Sequence, residues 1–82
     1  MPTVLRIKGL RFYFYSGEHQ PPHVHVIYGE GKSASKAKVI IETQQILKLS
    51  GFSRKDERTI KKIVANYKEF LLDAWEDYFN EQ

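Results

Sequence analysis

Alternation of apolar and polar positions marks the first fifty residues of the chain, and a period near 3.6 marks the last thirty. In residues 3–8, Leu5 and Ile7 alternate with Arg6 and Lys8, as in a half-buried strand. Gly9 predicts a turn. Residues 10–15 are rich in strand formers, with Phe12 and Phe14 on one face and Arg11, Tyr13 and Tyr15 on the other. Residues 16–22 read as a loop, and Pro21 and Pro22 hold the chain extended just before His23. Alternation resumes over residues 23–28, where Val24, Val26 and Tyr28 oppose His23, His25 and Ile27. After a turn at residues 29–32, residues 35–42 place Ala37, Val39 and Ile41 inward and Lys36, Lys38 and Ile40 outward. A short turn at Thr43 and Gln44 leads to a last strand over residues 45–49. The expected sheet is an antiparallel meander.

Beyond residue 52 the period changes. Ile60, Ile63, Val64, Tyr67, Leu71, Ala74, Trp75 and Tyr78 recur at i, i+3, i+4, i+7 spacing and predict one long helix over residues 54–79. No Gly or Pro interrupts it. Ser53 is suited to cap it, with Asp56 three residues on. The predicted fold class is α+β: a small antiparallel sheet of four to five strands with one long C-terminal helix on one face, in a single domain spanning residues 1–82.

The absence of cysteine excludes disulfides, thiolate metal sites and a Cys nucleophile. The N-terminus has no apolar run of signal-peptide length, and no stretch approaches a membrane span, so the expected location is the cytoplasm with no membrane partner. A net charge of +3 is too small to imply nucleic acid by itself. Its distribution is more informative. Residues 1–52 carry seven Lys/Arg against three Glu, whereas residues 53–82 carry six against seven acids. If the helix covers the Phe/Val face, alternation leaves Arg6, Lys8, Arg11, Tyr13, Tyr15, His23, His25, Lys36, Lys38 and, less directly, Lys48 on the other. Basic groups among tyrosines suit a phosphate backbone and stacked bases, which makes RNA an expected partner, with Arg11, Tyr13, Tyr15, Lys36 and Lys38 as its contacts. The competing reading is that any helix-on-sheet domain needs a polar outer face.

The three histidines admit three roles. His23 and His25, two apart on a strand, point the same way and can share a divalent cation, with His19 as a third ligand and Glu18 as a carboxylate. Alternatively, His23 or His25 acts as general acid or base in metal-independent RNA cleavage, with Arg and Lys stabilising the phosphorane charge and no cofactor required. In the third reading, His19 and His23 bond backbone groups and fix the shape of the Pro-Pro loop.

The helix begins basic and ends acidic, against the macrodipole, and pairs like charges at Arg58/Lys62, Glu69/Asp73 and Asp73/Asp77. That pattern points to a partner rather than to helix stability: an antiparallel homodimer through the helix, or an oppositely charged protein. Ala65, Leu72 and Phe79 lie off the main stripe as a second contact seam.

Met1-Pro2 ahead of a short strand, followed by Tyr15-Ser16-Gly17-Glu18-His19-Gln20-Pro21-Pro22-His23-Val24-His25, resembles the prokaryotic domain-of-unknown-function family 4160. The resemblance covers nearly the whole chain, including the strand around residues 37–42 and the helix near residues 71–75. Members often carry Asp or Asn before the first histidine of the His-x-Pro-Pro-His-x-His core and Asn after it, where Glu18 and Gln20 stand here. The resemblance implies a compact bacterial or archaeal protein, often encoded beside a second small domain of unknown function, number 2442, in pairs that look like toxin–antitoxin modules. It implies a cognate small protein partner and an RNA or translation target. The expectation is therefore a toxin–antitoxin-type component that binds or cleaves RNA. The alternatives are a non-catalytic protein–protein interaction module and a small divalent-metal-binding domain.

Overall fold

A computed structural model of the chain describes residues 3–15, 17 and 20–80. Five strands, β1 (Thr3–Ile7), β2 (Leu10–Tyr13), β3 (His23–Tyr28), β4 (Ser35–Ile40) and β5 (Ile46–Ser50), precede two helices, α1 (Arg54–Asn66) and α2 (Lys68–Asn80). The strands form one sheet in the order β1-β2-β3-β4-β5, each antiparallel to its neighbour. The expected meander is thus the observed one, with ends displaced by a few residues.

Turn chemistry fixes the register. Lys8 (φ 53°) and Gly9 (φ 80°) both adopt positive φ between Ile7 and Leu10, as a two-residue type I′ hairpin turn requires. A Cβ at Gly9 would stand 2.9 Å from the exposed Tyr28 ring, which would have to move aside, so glycine is favoured there by space as well as by φ. Between β4 and β5, Gln44 (φ 62°) donates its side-chain amide to the Ile41 carbonyl at 2.7 Å, and its backbone N–H bonds Ile40 O at 2.8 Å. A register shift next to Val39 then sets Lys48 opposite Lys38.

The inner face of the sheet carries Leu10, Phe12, Phe14, Val24, Val26, Ala37, Val39 and Ile41. Ile60, Ile63 and Val64 of α1, and Leu71 and Trp75 of α2, close the core over it. Ser53 caps α1 in a reciprocal capping box: its hydroxyl accepts from Asp56 N–H at 3.1 Å, and Asp56 accepts from Ser53 N–H at 3.2 Å. The expected conflict with the macrodipole does not hold at the start of α1, where Asp56 and Glu57 put negative charge in the first turn, and Glu57 pairs with Lys61 at 3.8 Å.

The single long helix is corrected to two. Tyr67 leaves helical geometry (φ −106°, ψ 20°), although hydrogen bonds from Tyr67 N–H to Ile63 O and from Leu71 N–H to Tyr67 O bridge the break. An unbroken helix over residues 54–80 would run about 40 Å, longer than the 34 Å of the domain's greatest dimension. The bend keeps α2 on the core and brings Trp75, Tyr78 and Phe79 around Phe14, with ring centroids 5.4, 5.9 and 6.2 Å away. Two assignments change with it. Tyr67, expected in the buried stripe, is 40% exposed beside Phe70 at 50%. Leu72 and Phe79, expected on an exposed seam, pack against the core, and only Ala65 of that seam is exposed. Among the described residues, no helix is long and apolar enough to cross a membrane.

Candidate nucleic-acid interface

The outer face of the sheet is a ladder of aligned rows. Register places Tyr13, His25, Lys38 and Lys48 opposite one another across β2, β3, β4 and β5. Two residues along, Arg6, Arg11, Ile27, Lys36 and Ser50 align across all five strands. None of the five strands contains Asp or Glu. Lys38 faces Lys48, and Arg6 faces Arg11, in directly opposed like-charge pairs. Such pairs destabilise a sheet. The local sequence therefore places positive charge on this face at a cost in stability.

A hollow of about 600 Å³ lies over the first row, lined by Tyr13, Tyr15, His25, Lys36, Lys38 and Lys48 together with Leu49 and Ser50. Four of the five expected RNA contacts, Tyr13, Tyr15, Lys36 and Lys38, thus come together there with His25. Arg11 does not join them. Its guanidinium donates to Gly29 O at 3.3 Å, and it lines a smaller hollow of about 300 Å³ with Arg6 and Glu30.

The aromatic end of the main hollow is a packed cluster. Tyr13 stacks on His25 with ring centroids 5.5 Å apart, and Tyr15 meets His25 edge to face at 4.4 Å. Regular antiparallel pairing of residues 10–15 with 23–28 would set Tyr15 beside His23. Because β2 ends at Tyr13, Tyr15 is off the ladder and its ring turns to His25. The Tyr13 and Tyr15 hydroxyls lie 3.4 Å apart. Burial pushes the Tyr13 phenol up to about 12, and the hydrogen bond and charge of Tyr15 push the same way, against a smaller opposing pull from Arg11. Tyr13 is therefore neutral at physiological pH and acts as a hydrogen-bonding group, not a base.

The two histidines of His-x-His occupy different environments. His25 is half-buried and lines the hollow. His23 is only 4% exposed. Its Nδ1 lies 2.9 Å from Pro21 O, and its ring packs against Trp75 of α2 and His25, with both centroid distances 5.3 Å. The backbone-bonding role foreseen for His23 is observed. The packing of Trp75 on His23 had no signal in the sequence, because helical spacing shows that Trp75 is buried but not that it reaches the histidine strand. Glu18 and His19, the remaining residues of the metal reading, lie outside the described residues. Among the described residues, no three His, Asp or Glu side chains group as metal ligands.

Residues 9–76 match the family described as domain of unknown function (DUF4160). The chain belongs to that family. No curated protein matches it, and no solved structure does. The DUF4160 span contains the whole Tyr13–His25–Lys38–Lys48 row, His23 and Trp75; Arg6 of β1 falls outside it.

Proposed function

We propose that this protein binds RNA through the outer face of its sheet, as one component of a toxin–antitoxin-type pair. One observation carries the RNA reading. The lysine pair Lys38/Lys48 and the arginine pair Arg6/Arg11 oppose like charges on a face whose strands contain no acid. Bound phosphates convert that repulsion into affinity by neutralising both members of each pair. The pairing with a second small protein is supported by the family resemblance of the Glu18–His25 segment, and co-purification with the product of the neighbouring gene tests it.

The RNA reading predicts a steep salt dependence. Phosphate contacts by all four of these side chains on single-stranded RNA give a slope of log K against log salt of about −3. Lys38→Gln/Lys48→Gln should reduce that slope by about 1.4. Binding that is flat in salt, or unchanged in the double variant, sinks the proposal.

Cleavage of the bound RNA is a second reading, favoured by the position of His25 in the hollow beside Lys38. His25 would take the proton of the ribose 2′-hydroxyl, whose oxygen attacks the adjacent phosphorus to leave a 2′,3′-cyclic phosphate as the P–O5′ bond breaks and the 5′-oxygen takes a proton from solvent, while the lysines stabilise charge on the phosphorane. Degradation assays in EDTA test it with His25→Ala. Equal rates in wild type and variant, or none in either, remove it.

A further inference from the structure

We infer that the hollow over Tyr13, Tyr15 and His25 receives one unpaired base of a single-stranded RNA, with the adjacent lysines holding the flanking phosphates. This rests on the RNA reading above and specifies which RNA.

The hollow is divided between two chemistries. Its β2–β3 end is aromatic: Tyr13, Tyr15 and His25 touch one another, and Tyr15 is the more exposed tyrosine of the group, at 39% as a residue. Its β4–β5 end carries three cations, Lys36, Lys38 and Lys48, around Ala37, Leu49 and Ser50. Neighbouring strands are spaced by about 5 Å, so Lys38 and Lys48 stand one and two strands from His25 in the same row. A base on the aromatic end therefore has cationic side chains within one nucleotide's reach, all on the same side.

The tyrosine pair adds a polar edge. The two hydroxyls are 3.4 Å apart and either can donate to the other. With both phenols protonated, one proton fills that bond and the other remains to donate to a ring nitrogen or carbonyl of a base. An unpaired base presents such groups, together with a face for stacking on Tyr15. A duplex has no free base face to stack, and its Watson–Crick edges are already paired. In A-form geometry this face would meet backbone phosphates, 2′-hydroxyls and minor-groove edges, and the lysines would supply most of the hold.

Fluorescence anisotropy with a labelled single-stranded RNA of about eight nucleotides, and with the same strand annealed to its complement, tests the inference. The wild-type protein should prefer the single strand. Tyr15→Leu should weaken single-strand binding about 5- to 150-fold and leave duplex affinity and salt slope unchanged. Tyr15→Phe, which keeps the ring, should retain most of the single-strand affinity. Equal affinity for the two RNAs, or equal loss on both with Tyr15→Leu, overturns the base site and leaves the electrostatic RNA reading standing. Absence of salt-dependent binding to either RNA overturns both.

Discussion

The two faces of one sheet follow opposite rules here. The inner face is uninterrupted hydrocarbon, with Phe12, Phe14, Val24, Val26, Val39 and Ile41 fully buried under two helices. The outer face is uncovered by either helix over most of its width, and it sets Lys38 against Lys48 and Arg6 against Arg11. Side chains of alternate residues on the same strands thus serve stability on one side and cost stability on the other. His23 complicates the division. Alternation puts it with His25 on the outer face, yet α2 reaches round with Trp75 and buries it at the end of the sheet. Burial consequently divides the His-x-His pair: His23 belongs energetically with the core, and His25 with the exposed face.

The largest expected effect tests the inner face. Trp75→Ala removes the ring that packs on both Phe14 and His23 and should cost about 3–5 kcal/mol in urea denaturation, a large part of the stability of a small domain. His23→Ala comes next. Losing the contact with Pro21 O and the packing on Trp75 should cost about 1–3 kcal/mol, whereas His25→Ala should cost less, with its main effect on RNA affinity. Equal destabilisation by the two histidine variants would break the division proposed between them.

A smaller change is expected on the outer face. Lys38→Gln should leave stability within about 0.5 kcal/mol of wild type, with a slight gain because a like-charge pair is relieved; thermal unfolding with and without added salt reads it. The last expectation concerns Tyr13 and is confined to alkaline pH. In the unfolded chain it ionises near 10, and in the folded protein near 12. Its contribution to stability is therefore complete below about pH 10 and is lost as pH rises toward 12. Ultraviolet titration should show one tyrosine ionising late, and Tyr13→Phe should abolish that late step.

Much of this was legible in the chain. Period-two alternation assigned nearly every sheet residue to its face, since a one-residue slip would have put Phe12, Val24 and Val39 in water. The same alternation put Tyr13, His25, Lys36 and Lys38 on one surface. The helix stripe identified Ile60, Ile63, Val64, Leu71 and Trp75 as core. The break at Tyr67 was not legible, because no Gly or Pro marks it. An unbroken helix of this length would exceed the 34 Å of the domain, and that limit is not a local property of residues 66–68. The misplacement of Tyr67, Leu72 and Phe79 follows from that one missed bend.

The sequence by itself determined the fold class, the inner and outer composition of the sheet and the membership of the chemical groups on each side, because strand and helix periodicities are local. The tertiary structure decided which of those groups meet. Register across four strands turned separate residues into the Tyr13–His25–Lys38–Lys48 row, and the bend in the helix pair carried Trp75 onto His23. Both depend on distances between segments far apart in the chain, which turn geometry and packing set together.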